Sequence, residues 1–395
     1  MCGTVAVRKC RHFRCILRNG DEILPPRNTL LKPASGDCNL RCRYCFYHDE
    51  MCSRENSSYG RMSPETLEAV ISKAMAEAEG QCTFGFQGGE PTLAGLPFFE
   101  QVIALQKKYG RPDLQVYNAL QTNGTLLDEA WAAFLREHRF LVGLSLDGDE
   151  SLHNLYRVDA AGRGTFSRVE AAADLLRRHG VEFNILTVVT AQTAKNIRRV
   201  YRYFQRKGFS YQQYIPCLDP LEDERGSQKY SLTPQLYGRF LVTLFDLWYE
   251  DRMAGRFMYN RYFDNLLGIR LGCQPEACGM LGHCGIQYAV EADGSVYPCD
   301  FYMLDGYCIG NFRENTLAEM DARRQELGFL QKSAQTHEDC HRCPWVALCR
   351  GGCRRDRPEL PGDVLGKNYY CPAFQEFFAH AVPKLTALAN RIKQI

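Results

Sequence analysis

The 395-residue sequence lacks a strong charge of either sign, and it has no long hydrophobic run. Its 48 basic and 46 acidic residues leave a formal net charge of +2, which gives no case for a basic surface that binds nucleic acid. No apolar stretch approaches the roughly 20 residues that cross a bilayer. The start, MCGTVAVRKCRHFRCILRNG, contains no continuous apolar segment of a secretory signal. We therefore expect a cytoplasmic protein that binds neither nucleic acid nor membrane.

Cysteine is the residue that the chain has in excess, with 19 in total. In a reducing compartment, closely spaced cysteines are more often metal ligands or catalytic groups than disulfide partners. Only Cys217 lies between Cys82 and Cys273, whereas ten cysteines fall from Cys273 to Cys371. Together with a helical pattern that ends at Gly255, this shift predicts a boundary near residue 255.

The first part of the chain alternates short β-branched or aromatic runs with helical periods. The runs predict strands at 30–34, 83–87, 114–123, 140–148, 181–190 and 211–218. Helices are predicted between them at about 64–79, 96–109, 128–137, 165–179 and 194–206. About six β–α units in series favour an α/β fold with a parallel sheet, as in an open or partial barrel. Ligands of such sheets bind at the carboxyl ends of the strands, where the loops DCNLRCRYC, QGGEP, QTNG and SLDG are expected.

The second part is poor in strand signals. The segment QYAVEADGSVYPCD (287–300) alternates around Asp293-Gly294 and predicts a hairpin. A C-terminal helix is expected, with a kink at Pro383. We thus predict three segments: an extension of unknown role at 1–27, the barrel at 28–255, and a cysteine-rich domain with the C-terminal helix at 256–395.

Three cysteines lie within eight positions of DCNLRCRYCFYHDE (37–50): Cys38, Cys42 and Cys45. Thiolates at this spacing converge on one metal centre, and soft sulfur favours zinc or iron–sulfur. Structural zinc takes four ligands, so a zinc site would also need Cys52 or His48. An iron–sulfur cubane held by only three cysteines keeps one iron open to another molecule.

The spacing C-x3-C-x2-C, with Tyr44 before its last cysteine and GGEP following at 88–91, resembles the radical S-adenosylmethionine (SAM) superfamily. The run CHRCPWVALCRGGC, followed by a distant cysteine, resembles the SPASM extension, which holds two auxiliary [4Fe–4S] clusters. Long stretches such as KPASGDCNLRCRYCFYH, FQGGEPTLAGLPFFE and LVGLSLDG are similar to those of the anaerobic sulfatase-maturating enzymes. This similarity runs from about residue 28 to the C-terminus.

The resemblance implies a partial (β/α)6 radical SAM barrel followed by a SPASM domain, with three [4Fe–4S] clusters and one SAM. The first cluster would be held by Cys38, Cys42 and Cys45. The auxiliary clusters would be held by two sets of four, Cys278, Cys284, Cys299 and Cys353, and Cys340, Cys343, Cys349 and Cys371. SAM would be bound by Tyr44, Gly88, Gly89, Glu90, Ser145, Arg157 and Leu218. Two structural zinc sites are equally consistent with the ligand count of the eight auxiliary cysteines.

The resemblance also implies an activity, the oxidation of a cysteine or serine in a sulfatase chain to C-formylglycine. The first cluster would reduce SAM, the resulting 5′-deoxyadenosyl radical would take a hydrogen from the side chain, and Asp300 would accept the thiol or hydroxyl proton. The second electron would leave through the auxiliary clusters. The implied partners are an unfolded or nascent sulfatase segment and a reductant such as ferredoxin or flavodoxin.

Two other functions are weighed against this one. The nearer is another SPASM peptide-modifying enzyme, for example one that forms thioethers. The farther is a non-catalytic iron–sulfur electron carrier or a zinc-stapled scaffold, although a carrier has no need of an open iron or a GGEP loop. Without the resemblance, Ser145 and Asp147 would be interpreted as helix-cap or turn residues at the end of a predicted strand. Four residues are expected to line the pocket: Tyr47, His48, Gln87 and Tyr214. Cys273 and Cys308 have no assigned role.

Overall fold

The computed structural model describes residues 27–362 and 364–394. Twelve strands are found in this part of the chain: β1 (Arg27–Leu31), β2 (Gln81–Phe86), β3 (Gln115–Thr122), β4 (Leu141–Ser145), β5 (Phe183–Val189), β6 (Tyr211–Pro216), β7 (Tyr259–Asn260), β8 (Gln287–Val290), β9 (Ser295–Tyr297), β10 (Gly310–Asn311), β11 (Glu359–Leu360) and β12 (Val364–Leu365). The predicted extension falls outside the described residues, except for Arg27, with which β1 begins.

The α-helices of the same part are α1 (Phe46–Cys52), α2 (Pro64–Ala76), α3 (Leu96–Lys108), α4 (Glu129–Glu137), α5 (Glu150–Tyr156), α6 (Phe166–Arg178), α7 (Ala191–Lys195), α8 (Ile197–Lys207), α9 (Pro234–Met253), α10 (Arg261–Arg270), α11 (Leu317–Glu326), α12 (Phe329–Ser333), α13 (Glu338–His341), α14 (Val346–Cys349) and α15 (Cys371–Lys393). No helix of these residues has the length and apolar character to cross a bilayer.

Ten of the strands form one sheet in the order β10-β9-β8-β1-β2-β3-β4-β5-β6-β7. The strands from β1 to β7 are parallel to their neighbours, so the predicted α/β class with a parallel sheet is confirmed. The strand order ends at β10 and β7 and does not close on itself, as expected for a partial barrel.

Local sequence explains why the helices begin where they do and which face they bury. Helix α2 begins at Pro64, and the Ser63 side chain caps it by accepting a hydrogen bond from the Thr66 N–H. Its apolar positions recur at helical spacing, so that Leu67, Ile71 and their neighbours are fully buried against the sheet core.

The cysteine-rich part joins the sheet through β8. This strand is parallel to β1, with Leu31 paired with Val290, and it turns back into β9 at the predicted Asp293-Gly294 hairpin. The C-terminal helix α15 remains helical through Pro383 and packs against α9. Both parts of the chain therefore contribute strands to a single sheet.

Candidate active site

The loops predicted to bind ligands lie at the carboxyl ends of parallel strands. The cysteine loop follows β1, GGEP follows β2, Ser145 ends β4, and Leu218 follows β6. In parallel sheets these ends lie along one edge, so residues distant in sequence meet there.

The three cysteines of the first loop lie close enough to influence one another electrostatically. Burial raises the pKa of Cys38 to about 11 and that of Cys42 to about 12, and the charges of neighbouring cysteines add to both shifts. The sulfur of Cys38 accepts hydrogen bonds from the Leu40 N–H at 3.3 Å and from Asn123 Nδ2 at 3.8 Å. Buried thiols with raised pKa values become thiolates when a cation binds them, which fits ligands of a metal centre.

The GGEP loop lies directly against the loop that carries these cysteines. The N–H of Gly89 donates to the Ser35 carbonyl at 3.1 Å, and the N–H of Glu90 donates to the Asp37 carbonyl at 2.7 Å. A Cβ atom on Gly89 would stand 2.0 Å from the Asp37 oxygen. Glycine at this position is therefore required by the close approach of two backbones.

The carboxylate of Glu90 is buried, and both of its oxygens accept hydrogen bonds from the chain itself. Its Oε1 accepts from the hydroxyls of Thr92 and Thr122, each at 2.7 Å, and its Oε2 accepts from the Asn123 N–H at 2.7 Å. These bonds fasten the GGEP loop to the end of β3. We therefore expect the side chain of Glu90 to hold the loop in place rather than to contact SAM itself.

We predict that Gly89→Ala displaces the GGEP loop. Inserting a methyl group into a packed backbone contact costs about 1–3 kcal/mol, and the nearest atom here is a carbonyl oxygen that cannot rotate away. The melting temperature and the 5′-deoxyadenosine yield should both fall. The matched control is Gly306→Ala, because a Cβ at Gly306 meets no atom within 4 Å. A Gly89→Ala protein that melts and cleaves SAM like the parent would contradict the packing argument.

Tyr44 and Arg157 meet on one carboxylate, that of Asp147. The Tyr44 hydroxyl donates to Asp147 Oδ2, and Arg157 Nε donates to the same oxygen at 2.9 Å. Asp147 Oδ1 accepts from the Val188 N–H at 2.9 Å. Asp147 therefore aligns two predicted SAM contacts, a role that the interpretation as a cap or turn residue missed. The helix cap in this segment is Asp149, whose side chain accepts from the Leu152 N–H.

Leu218 and Ser145 border the same region. Cys217, directly before Leu218, is buried in a small cluster with Tyr44 and Tyr156, against which Cys42 packs. Ser145 ends β4 two positions before Asp147 and is 8% exposed. The fold thus gathers these predicted SAM contacts beside the first cysteine loop.

Asp300 lies where three predicted features meet. Its Oδ2 accepts from the Tyr47 hydroxyl at 2.8 Å and from Gln87 Nε2 at 2.7 Å. Tyr47 belongs to α1, which begins directly after Cys45, whereas Gln87 precedes the GGEP loop. Burial raises the pKa of Asp300, and the nearby ammonium of Lys32 opposes that shift. Asp300 itself directly follows Cys299. Its side chain therefore connects α1, the residue before the GGEP loop and an auxiliary cysteine.

The other two predicted pocket residues contact other side chains. The ring of Tyr214 packs on Phe240 of α9, and its hydroxyl donates to Gln212 at 2.8 Å. The Nδ1 atom of His48 lies 3.7 Å from the sulfur of Cys52, which is exposed.

The first predicted auxiliary set, Cys278, Cys284, Cys299 and Cys353, is brought together by the fold. Burial raises the pKa of Cys299 well above its usual range, and the charges of Cys353 and Cys284 raise it further. The pKa of Cys353 is raised by burial and also by the charges of Cys278 and Cys284. Cys278, Cys284 and Cys299 therefore each lie within electrostatic range of Cys353.

The second predicted auxiliary set, Cys340, Cys343, Cys349 and Cys371, lines one cavity that is partly open to solvent. Burial and the charges of the other three thiols raise the pKa of Cys349 to about 11. Within the described ranges, no three or more His, Cys, Asp or Glu side chains are arranged to hold a single metal ion. A shared cavity lined by four thiols fits a larger group such as a cubane cluster.

We predict that anaerobically reconstituted protein holds about twelve irons per chain. Eleven cysteines form sets of three, four and four, and each set would take one [4Fe–4S] cluster. Iron, sulfide and zinc determinations on the same sample check this value. A protein that holds mainly zinc, or about four irons, would contradict it.

Comparison with known proteins agrees with this geometry. The family model of the radical SAM superfamily matches residues 33–204, and that of the SPASM iron–sulfur cluster-binding domain matches residues 283–344. The cysteine-type anaerobic sulfatase-maturating enzyme of Clostridium perfringens (strain 13) is 51% identical over 94% of this chain and 100% of its own length. The serine-type enzyme of Bacteroides thetaiotaomicron is 32% identical over 93% of this chain and 92% of its own.

A solved structure of native anSMEcpe with bound AdoMet and the Cp18Cys peptide superimposes with a TM-score of 0.89. It is 50% identical and covers 93% of this chain and all of its own. The relatives therefore match nearly the whole chain, including both groups of cysteine loops. The chain belongs to the anaerobic sulfatase-maturating enzymes, radical SAM oxidoreductases that carry a SPASM iron–sulfur domain and generate formylglycine.

Proposed function

We propose that the target residue of this sulfatase-maturating enzyme is a cysteine rather than a serine, and that Asp300 accepts its proton. The first part is supported by the 51% identity to a cysteine-type enzyme, against 32% for a serine-type one. The second part is supported by the contacts of Asp300 with Tyr47 and Gln87, and by its position after Cys299. The position of Asp300 beside α1, the GGEP loop and Cys299 is the observation on which the proposal rests.

The described residues fit the groups that the family implies. We propose that residues 28–255 hold the first cluster and SAM and that residues 256–395 hold the two auxiliary clusters, with no role assigned to residues 1–27. The proposed SAM contacts are Tyr44, Gly88, Gly89, Ser145, Arg157 and Leu218, with Glu90 fastening their loop. When bound, these groups supply one-electron transfer and hydrogen-atom abstraction, chemistry that amino-acid side chains do not provide.

The chain's own residues orient the reactants and move one proton. Tyr44 and Arg157 are fixed on Asp147, so their positions are set before a ligand arrives. Asp300 accepts the proton of the substrate thiol. Because burial raises the pKa of Asp300, its carboxylate binds that proton more strongly than an exposed aspartate would.

We further propose that the protein acts in the cytoplasm on unfolded or nascent sulfatase segments. A reducing compartment keeps cysteines available as cluster ligands. Extended peptides can bind through their main chain, which an unfolded segment offers and a folded sulfatase does not. The proposed reductant is a small electron carrier such as ferredoxin or flavodoxin, and neither nucleic acid nor membrane is proposed as a partner.

Anaerobic incubation with SAM, dithionite and two sulfatase-motif peptides, differing only in cysteine or serine at the target position, tests the function. We expect the cysteine peptide to form aldehyde about tenfold faster or more, because a thiol near pKa 8.5 gives up its proton more readily than a hydroxyl. Mass spectrometry after trapping with a hydrazide measures both products. Faster conversion of the serine peptide would contradict the proposed preference, and a crosslinked product without aldehyde would contradict the proposed reaction.

A further inference from the structure

Asp300 belongs to a buried group of three charged side chains, and the proposed function uses only one of them. The others are Lys32, which directly follows β1, and Glu50 of α1. Lys32 Nζ lies 3.5 Å from Glu50 Oε2 and 3.7 Å from Asp300 Oδ1. The side chains of Lys32, Glu50 and Asp300 are 3%, 5% and 9% exposed, respectively. Buried charges are retained in proteins when they balance one another or serve the chemistry.

The two oxygens of Asp300 have different surroundings. Oδ2 is occupied by the hydrogen bonds from Tyr47 and Gln87. Oδ1 accepts no hydrogen bond from any described residue, and Lys32 faces it across the 3.7 Å ionic contact. Oδ1 is therefore the oxygen whose hydrogen-bonding capacity the described residues leave unused.

Lys32 is held in this place from several sides. Its backbone N–H donates to the Val290 carbonyl at 2.8 Å, which fixes it at the junction of β1 and β8. Its ammonium lies 4.5 Å from the centre of the Tyr47 ring. The carboxylate oxygens of Glu50 accept no hydrogen bond within the described residues and face the same ammonium. Glu50 thus supplies a second counter-charge for Lys32 besides that of Asp300.

We infer that Lys32 is a positioning residue of the proton-removal step, and that its ammonium, held by Glu50, keeps Asp300 Oδ1 directed toward the substrate thiol. This inference rests on the proposed function of Asp300. In the step, the S–H bond of the substrate breaks, an O–H bond forms at Oδ1, and the sulfur keeps the electron pair. Once Asp300 is protonated, its carboxyl group is neutral. Lys32 then remains paired with Glu50 and does not become an isolated buried cation, which would cost free energy.

The experiment compares the reconstituted full-length enzyme with Lys32→Met, Glu50→Gln, the double variant and Lys32→Arg. For each, 5′-deoxyadenosine, peptide aldehyde, kcat and KM for the cysteine peptide, and the melting temperature are measured. In Lys32→Met we expect 5′-deoxyadenosine to stay within about twofold of the parent, while aldehyde per 5′-deoxyadenosine falls about tenfold to hundredfold. The loss should appear in kcat, with KM little changed, and Lys32→Arg should restore part of it.

The double variant tests the role assigned to Glu50. If Glu50 acts through Lys32, the double variant should lose no more aldehyde than Lys32→Met alone, because the two effects are not additive. The double variant also removes one charge of each sign, so it can be measured if Lys32→Met does not fold. Lys108→Met serves as the matched control, since Lys108 is 60% exposed and pairs with Glu68 on the surface.

Two results would overturn the inference. One is an unchanged ratio of aldehyde to 5′-deoxyadenosine in Lys32→Met, or in the double variant if the single variant does not fold. The other is an equal fall of both products, which would assign Lys32 a purely structural role. Failure of the proposed function looks different, because Asp300→Asn would then make aldehyde at the parent's rate, or the parent enzyme would make no aldehyde from the cysteine peptide.

Discussion

Replacing Cys42 by alanine is expected to abolish the formation of 5′-deoxyadenosine. Cys42 is one of three thiols on the loop after β1, and these three are the proposed ligands of the first cluster. A cubane that keeps one iron open for SAM has no spare thiolate, so the loss of one ligand removes the site. Chromatography of anaerobic reactions with dithionite measures the product. Cys38→Ala and Cys45→Ala should give the same result.

The matched control for this prediction is Cys52→Ala. Cys52 lies seven positions after Cys45, is exposed and is close to His48, so it is the cysteine that a four-ligand zinc site would recruit. The variant should retain the parent's iron content and its 5′-deoxyadenosine yield. Product formation by Cys42→Ala, or its loss in Cys52→Ala, would show that the ligand assignment is wrong.

The auxiliary cysteines should respond differently. Cys340→Ala or Cys349→Ala should lower the melting temperature and the aldehyde yield more than the 5′-deoxyadenosine yield. The reason is that metal–ligand bonding contributes directly to folding free energy, and the second auxiliary set organises the segment around α13 and α14. Equal and complete loss of both products with an unchanged melting temperature would contradict this expectation.

Asp300→Asn is expected to separate the two halves of the reaction. The amide keeps the size of the carboxylate, and its oxygen can still accept the hydrogen bonds from Tyr47 and Gln87, but it cannot take the substrate's proton. General-base catalysis typically contributes about 10²–10⁴-fold. Aldehyde should therefore fall by about that factor, while 5′-deoxyadenosine continues to form.

The serine peptide provides an internal comparison for Asp300→Asn. A hydroxyl holds its proton far more tightly than a thiol, whose pKa is near 8.5, so residual aldehyde should fall further for serine than for cysteine. Measuring both peptides with both enzymes in one series distinguishes a lost base from a general loss of activity. Normal aldehyde rates on both peptides would assign the base to another residue.

Sequence patterns were most informative where the chemistry is local. Cys38, Cys42 and Cys45 lie within eight positions, so their spacing alone indicated a metal centre. The strands from β2 to β6 were also predictable, because each is a short apolar run between helical periods. The helices α1 and α5 were not predicted, since each has only seven residues and its periodicity is too short to stand out.

Contacts between segments that are distant in sequence could not be predicted from local patterns. The bond between Tyr44 and Asp147 joins residues 103 positions apart, and that between Tyr47 and Asp300 spans 253. Nothing in the segment SLDG distinguishes a buried carboxylate that aligns other side chains from a turn residue. The division of the eight auxiliary cysteines into two sets likewise came from resemblance. Spacing alone could not give it, because Cys353 of the first set lies between Cys349 and Cys371 of the second set.

The pairing of β8 with β1 has a consequence for solubility and for fragment design. In the full chain both sides of β1 are covered, by β2 on one side and β8 on the other. A fragment that stops near residue 255 would keep β1 but lose β8, and one row of its backbone N–H and C=O groups would become an exposed sheet edge. Bare edges of this kind recruit strands from other molecules. The auxiliary segment therefore also shields the rest of the enzyme from aggregation, and the radical-generating part should be producible alone only with a substitute strand or a covering helix.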